Sequence, residues 1–347
     1  MTDMARRFEN NPLLSPKDIG VSIAGFHIAG VLNPGAFKYK DRIGLVIRVA
    51  EMPPQEQGYI RAPVMDENNN LRILEFSQND PHVWSDDPRI FSHKNTFYLT
   101  GISHLRLAWS EDGIHFKVEK EAALRAQGKY ETYGIEDCRV VEIDGTFYLT
   151  YTAVSENGAA VALASTRDWR SYQRHGIIFP PHNKDCAVFP GKINGWYYAL
   201  HRPSGVDVGG HFIWIARSKD LFHWGGHECI AQTRKGKWDS ARIGAGIIPI
   251  KTEKGWLEIY HGANEESRYC LGALLLAKNN PAHVLARSEI PIMEPIMSYE
   301  QEGFFGNVVF TNGHVIHDDV ITIYYGSSDE FICGAEFSIE QILTSLA

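Results

Sequence analysis

CRVVEIDGTFYLTYTA, residues 138–153, is the stretch on which the fold turns. Apolar and aromatic residues run on both sides of Asp144-Gly145, the sequence form of a tight β-hairpin. The same strand, polar turn and aromatic strand come back as PRIFSHKNTFYLTGIS (88–103), CAVFPGKINGWYYALHRP (186–203), AGIIPIKTEKGWLEIYHG (245–262) and VVFTNGHVIHDDVITIYYG (308–326). The copies recur roughly every 50 to 60 residues, a period that marks repeat architectures. A looser copy, NPGAFKYKDRIGLVIRVAE (33–51), opens the chain, and further strands with a recurring turn stand between copies as LRLAWSEDGIHF (105–116), VALASTRDWRSY (161–172) and IWIARSKDLFHW (213–224). Helical periodicity is weak outside the two ends. These units predict an all-β chain, a single β-propeller domain over residues 1–347 in which each small sheet packs on its neighbours around an axis. Five blades result if the terminal segments share one; six is the other count. A β-sandwich, the competing all-β fold, needs no recurring long period.

Composition narrows the function classes. The 347 residues are 44% hydrophobic and 22% charged, as in an ordinary globular protein. The formal charge of -8 argues against general nucleic-acid binding, which needs a basic face, so an anion site has to be a local pocket. No apolar run is long enough to span a bilayer, and MTDMARRFENNPLLSPKD lacks the apolar core of a secretory signal. The five cysteines are widely spaced, odd in number and without a CxxC pair, which fits free thiols in a reducing compartment. A cytoplasmic protein with no membrane partner is expected.

In a propeller the innermost strand of each blade starts near the axis, so polar residues just before it line a common pocket. Those residues are Asn33; Asp86, Asp87 and Arg89; Glu136, Asp137 and Arg139; Lys184 and Asp185; and Arg242. Others follow the second strands: Arg48 and Glu51, His201 and Arg202, Tyr260 and His261, and Asp329. Converging carboxylates among aromatics suggest sugar chemistry, in which a leaving glycosidic oxygen is protonated. Lys184, Arg202 and Arg242 come from three repeats and can surround a tetrahedral phosphate, with His261 as one more donor. Blander roles stand beside these: Arg139 as the structural ion pair of Asp137, Arg202 as a solvated loop charge before Pro203, and Glu51, His201 and Asp86 as supporting or surface residues. No HExxH, paired ligand spacing or glycine-rich phosphate loop occurs, so neither a metal nor a nucleotide cofactor is expected.

The segments GIEDCRV (134–140), CAVFPGKINGWYYALHRPS (186–204), WDSARIGAGIIPIKTEKGWLEIYHG (238–262), EGFFGNVVF (302–310) and YYGSSD (324–329) together resemble glycoside hydrolase family 130, the β-mannoside phosphorylases and related mannosidases. The resemblance implies a five-bladed propeller, with Asp137 as proton donor, Lys184, Arg202, Arg242 and His261 as phosphate-binding residues, and Asn33, Arg48 and Asp329 as sugar-binding residues. Asp87 and Arg139 join the substrate set by position. Cys138 stands where proline is usual, and Lys184 and Arg242 where arginine and lysine are expected, swaps that keep the charge. The stretch from about Met52 to Phe116 matches least well.

An inverting hydrolase needs an acid and also a carboxylate base to activate water, whereas a phosphorylase needs only the acid, because phosphate is already a nucleophile. The cationic cluster therefore favours inverting phosphorolysis of short β-mannosides to α-mannose 1-phosphate, with inorganic phosphate as co-substrate and no cofactor. The resemblance leaves open a proton path through a hydroxyl of the bound mannose. It leans to β-1,2-mannobiose or β-1,2-oligomannosides, with β-1,4-linked ones as the alternative. A hydrolase of the same fold and a non-catalytic sugar-binding propeller are the competing functions. Phosphorylases often associate, so a homo-oligomer is compatible with this assignment.

Overall fold

The computed structural model describes residues 3–205 and 208–346. Strands dominate, and the helices among the described residues are the short segments Pro16–Asp18, Ser298–Gln301 and Ile339–Ser345. None is long and apolar enough to cross a membrane. All five cysteines are free.

Five antiparallel meanders follow one another along the chain. The first comprises His27–Tyr39, Arg42–Met52, Ile102–Ser110 and Lys117–Leu124, and the second Gly134–Ile143, Thr146–Ser155, Gly158–Thr166 and Gln173–Phe179. The third comprises Asn183–Val188, Tyr197–Pro203, Ile213–Ser218 and Trp224–Ala231, and the fourth Arg242–Ala245, Trp256–Ala263, Tyr269–Leu276 and Val284–Arg287. The fifth comprises Val309–His317, Val320–Ser327 and Phe331–Ser338, and its outer edge is completed from the other end of the chain by Arg6–Arg7, paired with Glu336 and Ala335. The first two meanders also touch through one parallel pair, Gly134 with Ser103.

Local chemistry explains the repeats. Asp144 and Gly145 both take positive φ, 50° and 72°, as a two-residue hairpin turn of mirror-image type requires. The recurring turn after the third strand is also one motif. The hydroxyls of Ser110, Thr166 and Ser218 accept from the backbone amides of Gly113, Trp169 and Leu221. Asp112, Asp168 and Asp220 then accept from the next two amides each, so the spelling Ser/Thr-x-Asp encodes a side-chain-closed turn.

Apolar clusters fill the spaces between neighbouring meanders. One joins Val46 and Leu105 of the first to Leu149 and Ala162 of the second, and another runs through the second, third and fourth by way of Leu163, Leu200 and Tyr260. Leu257 of the fourth packs with Ile323 of the fifth, and Tyr324 of the fifth with Leu45 and Ile47 of the first. The first strands also meet directly. A Cβ on Gly35 would lie 2.7 Å from the Cys138 carbonyl oxygen of the second meander. Arg139 of that meander donates to the carbonyls of Gly246 and Ala245 in the fourth, at 2.8 and 2.5 Å. Asn312 Nδ2 of the fifth donates to the Asn33 carbonyl of the first at 3.1 Å.

One expected repeat is corrected. The copy at 88–103 does not open a meander: Ile90–His93 and Thr96–Leu99 pair with each other and with Val83–Asp87 in a separate three-stranded sheet. This sheet and the hairpin Tyr59–Met65/Leu71–Ser77 are inserted between the second and third strands of the first meander. Ile102–Ser110 pairs along Arg42–Met52, from Ile102 opposite Glu51 to Ser110 opposite Ile43. The cause is burial: Ile102–Ser110 is covered almost throughout, and the partly exposed strand Thr96–Leu99 cannot supply that cover.

Candidate active site

Four of the first strands shift register soon after they begin, at Leu32/Gly35, Glu136/Arg139, Lys184/Ala187 and Thr311/Gly313. In three of these bulges a residue is left-handed: Asn33 at φ 42°, Asp137 at 49° and Asp185 at 55°. Asn and Asp tolerate that conformation better than other side-chain-bearing residues, and a bulge re-aims the side chain it carries. Asp329, in the turn after Val320–Ser327, is left-handed too, at φ 51°.

These positions converge on a cavity of about 640 Å³. Its lining includes Asn33, Arg48, Asp87, Asp137, Lys184, Arg202, Arg242 and Asp329. A larger, more open cleft of about 1080 Å³, lined by Tyr148, His175 and Phe222 among others, has no carboxylate in its wall and so offers no acid for glycoside chemistry.

Two groupings divide the cavity. In the first, Arg48 donates to Glu136 Oε1 at 2.7 Å, to Asp137 Oδ1 at 3.2 Å and to Ser103 Oγ at 3.0 Å. Asn33 Nδ2 donates to the same Asp137 oxygen at 3.0 Å. Burial works against the Arg48 charge, but Glu136, Asp137 and Asp329 outweigh it and hold the guanidinium more firmly protonated than usual. From the inserted sheet, Arg89 pairs with Asp87 at 2.7 Å and with Asp329 at 2.9 Å. Burial raises the Asp329 carboxyl above its ordinary range, with Asp137 adding to the rise and Arg89 and Arg48 opposing it. The second grouping is cationic, with Lys184 and Arg202 from the third meander and Arg242 from the fourth: two repeats and not the three expected, because Lys184 and Arg202 stand opposite each other across one hairpin. Arg242 Nη1 donates to Tyr269 Oη at 3.2 Å.

Two expected ligands lie below the cavity surface. Arg139, 1% exposed, does not line the cavity; its guanidinium is held by the Gly246 and Ala245 carbonyls and lies 3.5 Å from Asp185 Oδ1. Its carboxylate neighbour is therefore Asp185 and not Asp137, because the bulge between Glu136 and Arg139 points Asp137 and Arg139 apart. His261, 0% exposed, does not line the cavity either; its Nε2 is 3.3 Å from Asp185 Oδ2. The supporting role for Glu51 fits its place: fully buried, it accepts from the backbone amides of Ser22 and Ile23. The Asp86 side chain lies outside the described residues.

The sequence patterns did not pick out His211, whose backbone bridges Arg242 and whose imidazole pKa is lowered to about 4 by burial, then by Arg202, Arg242 and Lys184. They also assigned no role to the aromatic wall of Phe304, Phe305, Tyr269 and Phe310, although EGFFG was legible as a segment. The Arg89 guanidinium stacks 4.3 Å from the Phe305 ring centre, a contact between segments far apart in sequence. Among the described residues, no group of three or more His, Cys, Asp or Glu is arranged to hold a metal ion.

Comparison with known proteins gives four findings. A family model described as beta-1,4-mannooligosaccharide phosphorylase matches residues 98–347. The chain is 44% identical over 346 residues to a protein of Listeria innocua named beta-1,2-mannobiose phosphorylase, covering 98% of each. It is 39% identical over 244 residues, 70% of this chain and 80% of the relative, to a 1,2-beta-oligomannan phosphorylase of Thermoanaerobacter sp.. Among solved structures, the Listeria innocua enzyme in complex with beta-1,2-mannobiose superposes with a TM-score of 0.96 at 43% identity, over 99% of each chain.

Proposed function

The chain belongs to glycoside hydrolase family 130, and on that premise we propose that it cleaves short β-1,2-mannosides, mannobiose first, by inverting phosphorolysis. The observation that carries this reading is the pairing, in one cavity, of Asp137 with Lys184, Arg202 and Arg242. A cationic wall serves a hydrolase nothing; for a phosphorylase it holds the nucleophile. The family model's description names β-1,4 linkages, but the relatives at 44% and 39% identity are named for β-1,2, which supports the β-1,2 assignment.

In the proposed reaction Asn33, Arg48, Asp87 and Asp329 hold the mannosyl unit, with Arg89 bracing Asp87 and Asp329. Lys184, Arg202 and Arg242 hold phosphate on the face opposite the leaving group. A phosphate oxygen attacks the anomeric carbon, the glycosidic C–O bond breaks, and the leaving oxygen takes the proton supplied by Asp137. Inversion yields α-mannose 1-phosphate and the shortened sugar. Neither a metal nor an organic cofactor takes part in this scheme. The scaffold is a single five-bladed propeller domain: the apolar clusters shared by successive meanders, the last joining the fifth to the first, support it, as does the edge that Arg6–Arg7 add to the fifth. Five free thiols support a cytoplasmic setting.

The test is turnover of β-1,2-mannobiose with and without inorganic phosphate, beside β-1,4-mannobiose. Phosphate-dependent release of mannose 1-phosphate from the β-1,2 sugar is expected. Equal rates in phosphate-free buffer would establish a hydrolase, and preference for the β-1,4 sugar would reverse the linkage.

A further inference from the structure

Between Lys184 and Arg202 a nearly buried carboxylate, Asp185, reaches the cavity lining. Asp185 is 2% exposed, left-handed at φ 55°, and placed by the register shift between Lys184 and Ala187. Its Oδ2 lies 2.6 Å from Arg202 Nε and 3.3 Å from His261 Nε2, and its Oδ1 3.5 Å from Arg139 Nη2. Burial alone would raise its pKa, but Arg202, His261 and Arg139 outweigh that and hold the carboxyl well below the usual range. The site is built to admit it: a Cβ on Gly244 would fall 2.3 Å from Asp185 Oδ2 and 2.6 Å from the His261 ring.

We propose that Asp185 is the positioning residue of the phosphate clamp, fixing Arg202 by its Nε edge so that the terminal amines remain free for the anion. The proposal rests on the phosphorylase reading. Arg202 lines the cavity and meets Asp185 through Nε as a close ion pair rather than an aligned hydrogen bond, so the edge engaged is not the fork of terminal amines that binds a tetrahedral oxyanion. Arg139 is anchored to the Gly246 and Ala245 carbonyls and fixes the other carboxylate oxygen from behind. Asp185 thus ties the second, third and fourth meanders together at the back of the clamp. It acts through Arg202 and is not itself a catalytic residue.

Charge and position make opposite demands, which gives the proposal its test. Asp185→Asn removes a negative charge beside the cationic wall, so a purely electrostatic role would tighten phosphate binding. A positioning role loosens it, because the guanidinium loses the partner that orients it. The expected result for Asp185→Asn is a phosphate KM raised by roughly 10- to 100-fold, the factor that a charge-assisted contact is worth. The Kd for β-1,2-mannobiose, titrated calorimetrically in phosphate-free buffer, should stay within a factor of about two of the parent, as for independent sites. An unchanged or lowered phosphate KM overturns the proposal, and so does a mannobiose Kd that rises in parallel, which is the mark of general structural damage. If Asp185→Asn does not fold, Arg202→Lys decides: it keeps the charge but cannot engage Asp185 through Nε and present a fork at once. A normal phosphate KM in Arg202→Lys likewise overturns it. Failure of the phosphorylase reading would show separately, as phosphate-independent turnover by the parent enzyme.

Discussion

Asp137 and Arg242 share a cavity but are assigned different work, so their variants should fail differently. Asp137→Asn preserves shape and still accepts from Arg48 and Asn33, yet it has no transferable proton. General acid catalysis contributes roughly 100- to 10,000-fold, and kcat should fall by about that much with little change in phosphate KM. In the proposed reaction Arg242→Ala removes a phosphate contact, and the expected change is in phosphate KM, by roughly 10- to 100-fold. Steady-state kinetics of both variants, with melting temperatures beside them, check this. A purely structural Asp137 would show lowered stability with near-parent kcat in the folded fraction, and that outcome would end its candidacy as the acid.

The inserted sheet of Val83–Asp87, Ile90–His93 and Thr96–Leu99 stands apart from the meanders but brings Asp87 and Arg89 to the cavity wall. Its contribution can be read from a pH profile. Arg89 and Arg48 lower the Asp329 pKa while burial and Asp137 raise it, so losing Arg89 moves that pKa further up. Asp329 accepts hydrogen bonds best when ionised. In Arg89→Leu, therefore, the acid limb of kcat/KM for mannobiose should move to higher pH, with phosphate KM unchanged. A limb that stays put or moves down would show that the inserted sheet does not tune Asp329.

Completion of the fifth meander by the chain's first strand puts unequal weight on two adjacent arginines. Arg7 is inserted among Glu300, Asp3 and the Glu294 carbonyl, and Glu300 is fully buried, accepting also from Tyr325 Oη at 2.7 Å. Arg6 points outward and pairs with Glu336 at the surface. Arg7→Ala leaves a buried carboxylate without its partner, a loss of about 3 to 5 kcal/mol, whereas an exposed pair such as Arg6–Glu336 is worth about 0 to 1 kcal/mol. Chemical denaturation should therefore give a much lower midpoint for Arg7→Ala than for Arg6→Ala. Similar midpoints would mean that the first strand does not close the fold energetically.

The all-β class, the hairpin turns and the recurring third-strand turn are legible in the chain because each is a local event. Asp144-Gly145 and Ser218-Lys219-Asp220 carry their turn chemistry within a few residues. The candidate residues are legible for a related reason: a left-handed bulge favours Asn or Asp, so Asn33, Asp137 and Asp185 advertise their positions. What lies behind the wall is not legible. Arg139 and Asp137 are two residues apart, yet only the fourth meander's carbonyls decide that Arg139 is buried. The copy at 88–103 is spelled like the others, but Ile102–Ser110 at its end pairs with Arg42–Met52, across the whole inserted stretch of sequence. His261 and Asp185 meet across two meanders. Turn geometry depends on neighbours along the chain, whereas depth and charge partnership depend on which surfaces the packing of meander on meander brings together, and that is decided only when every meander is in place.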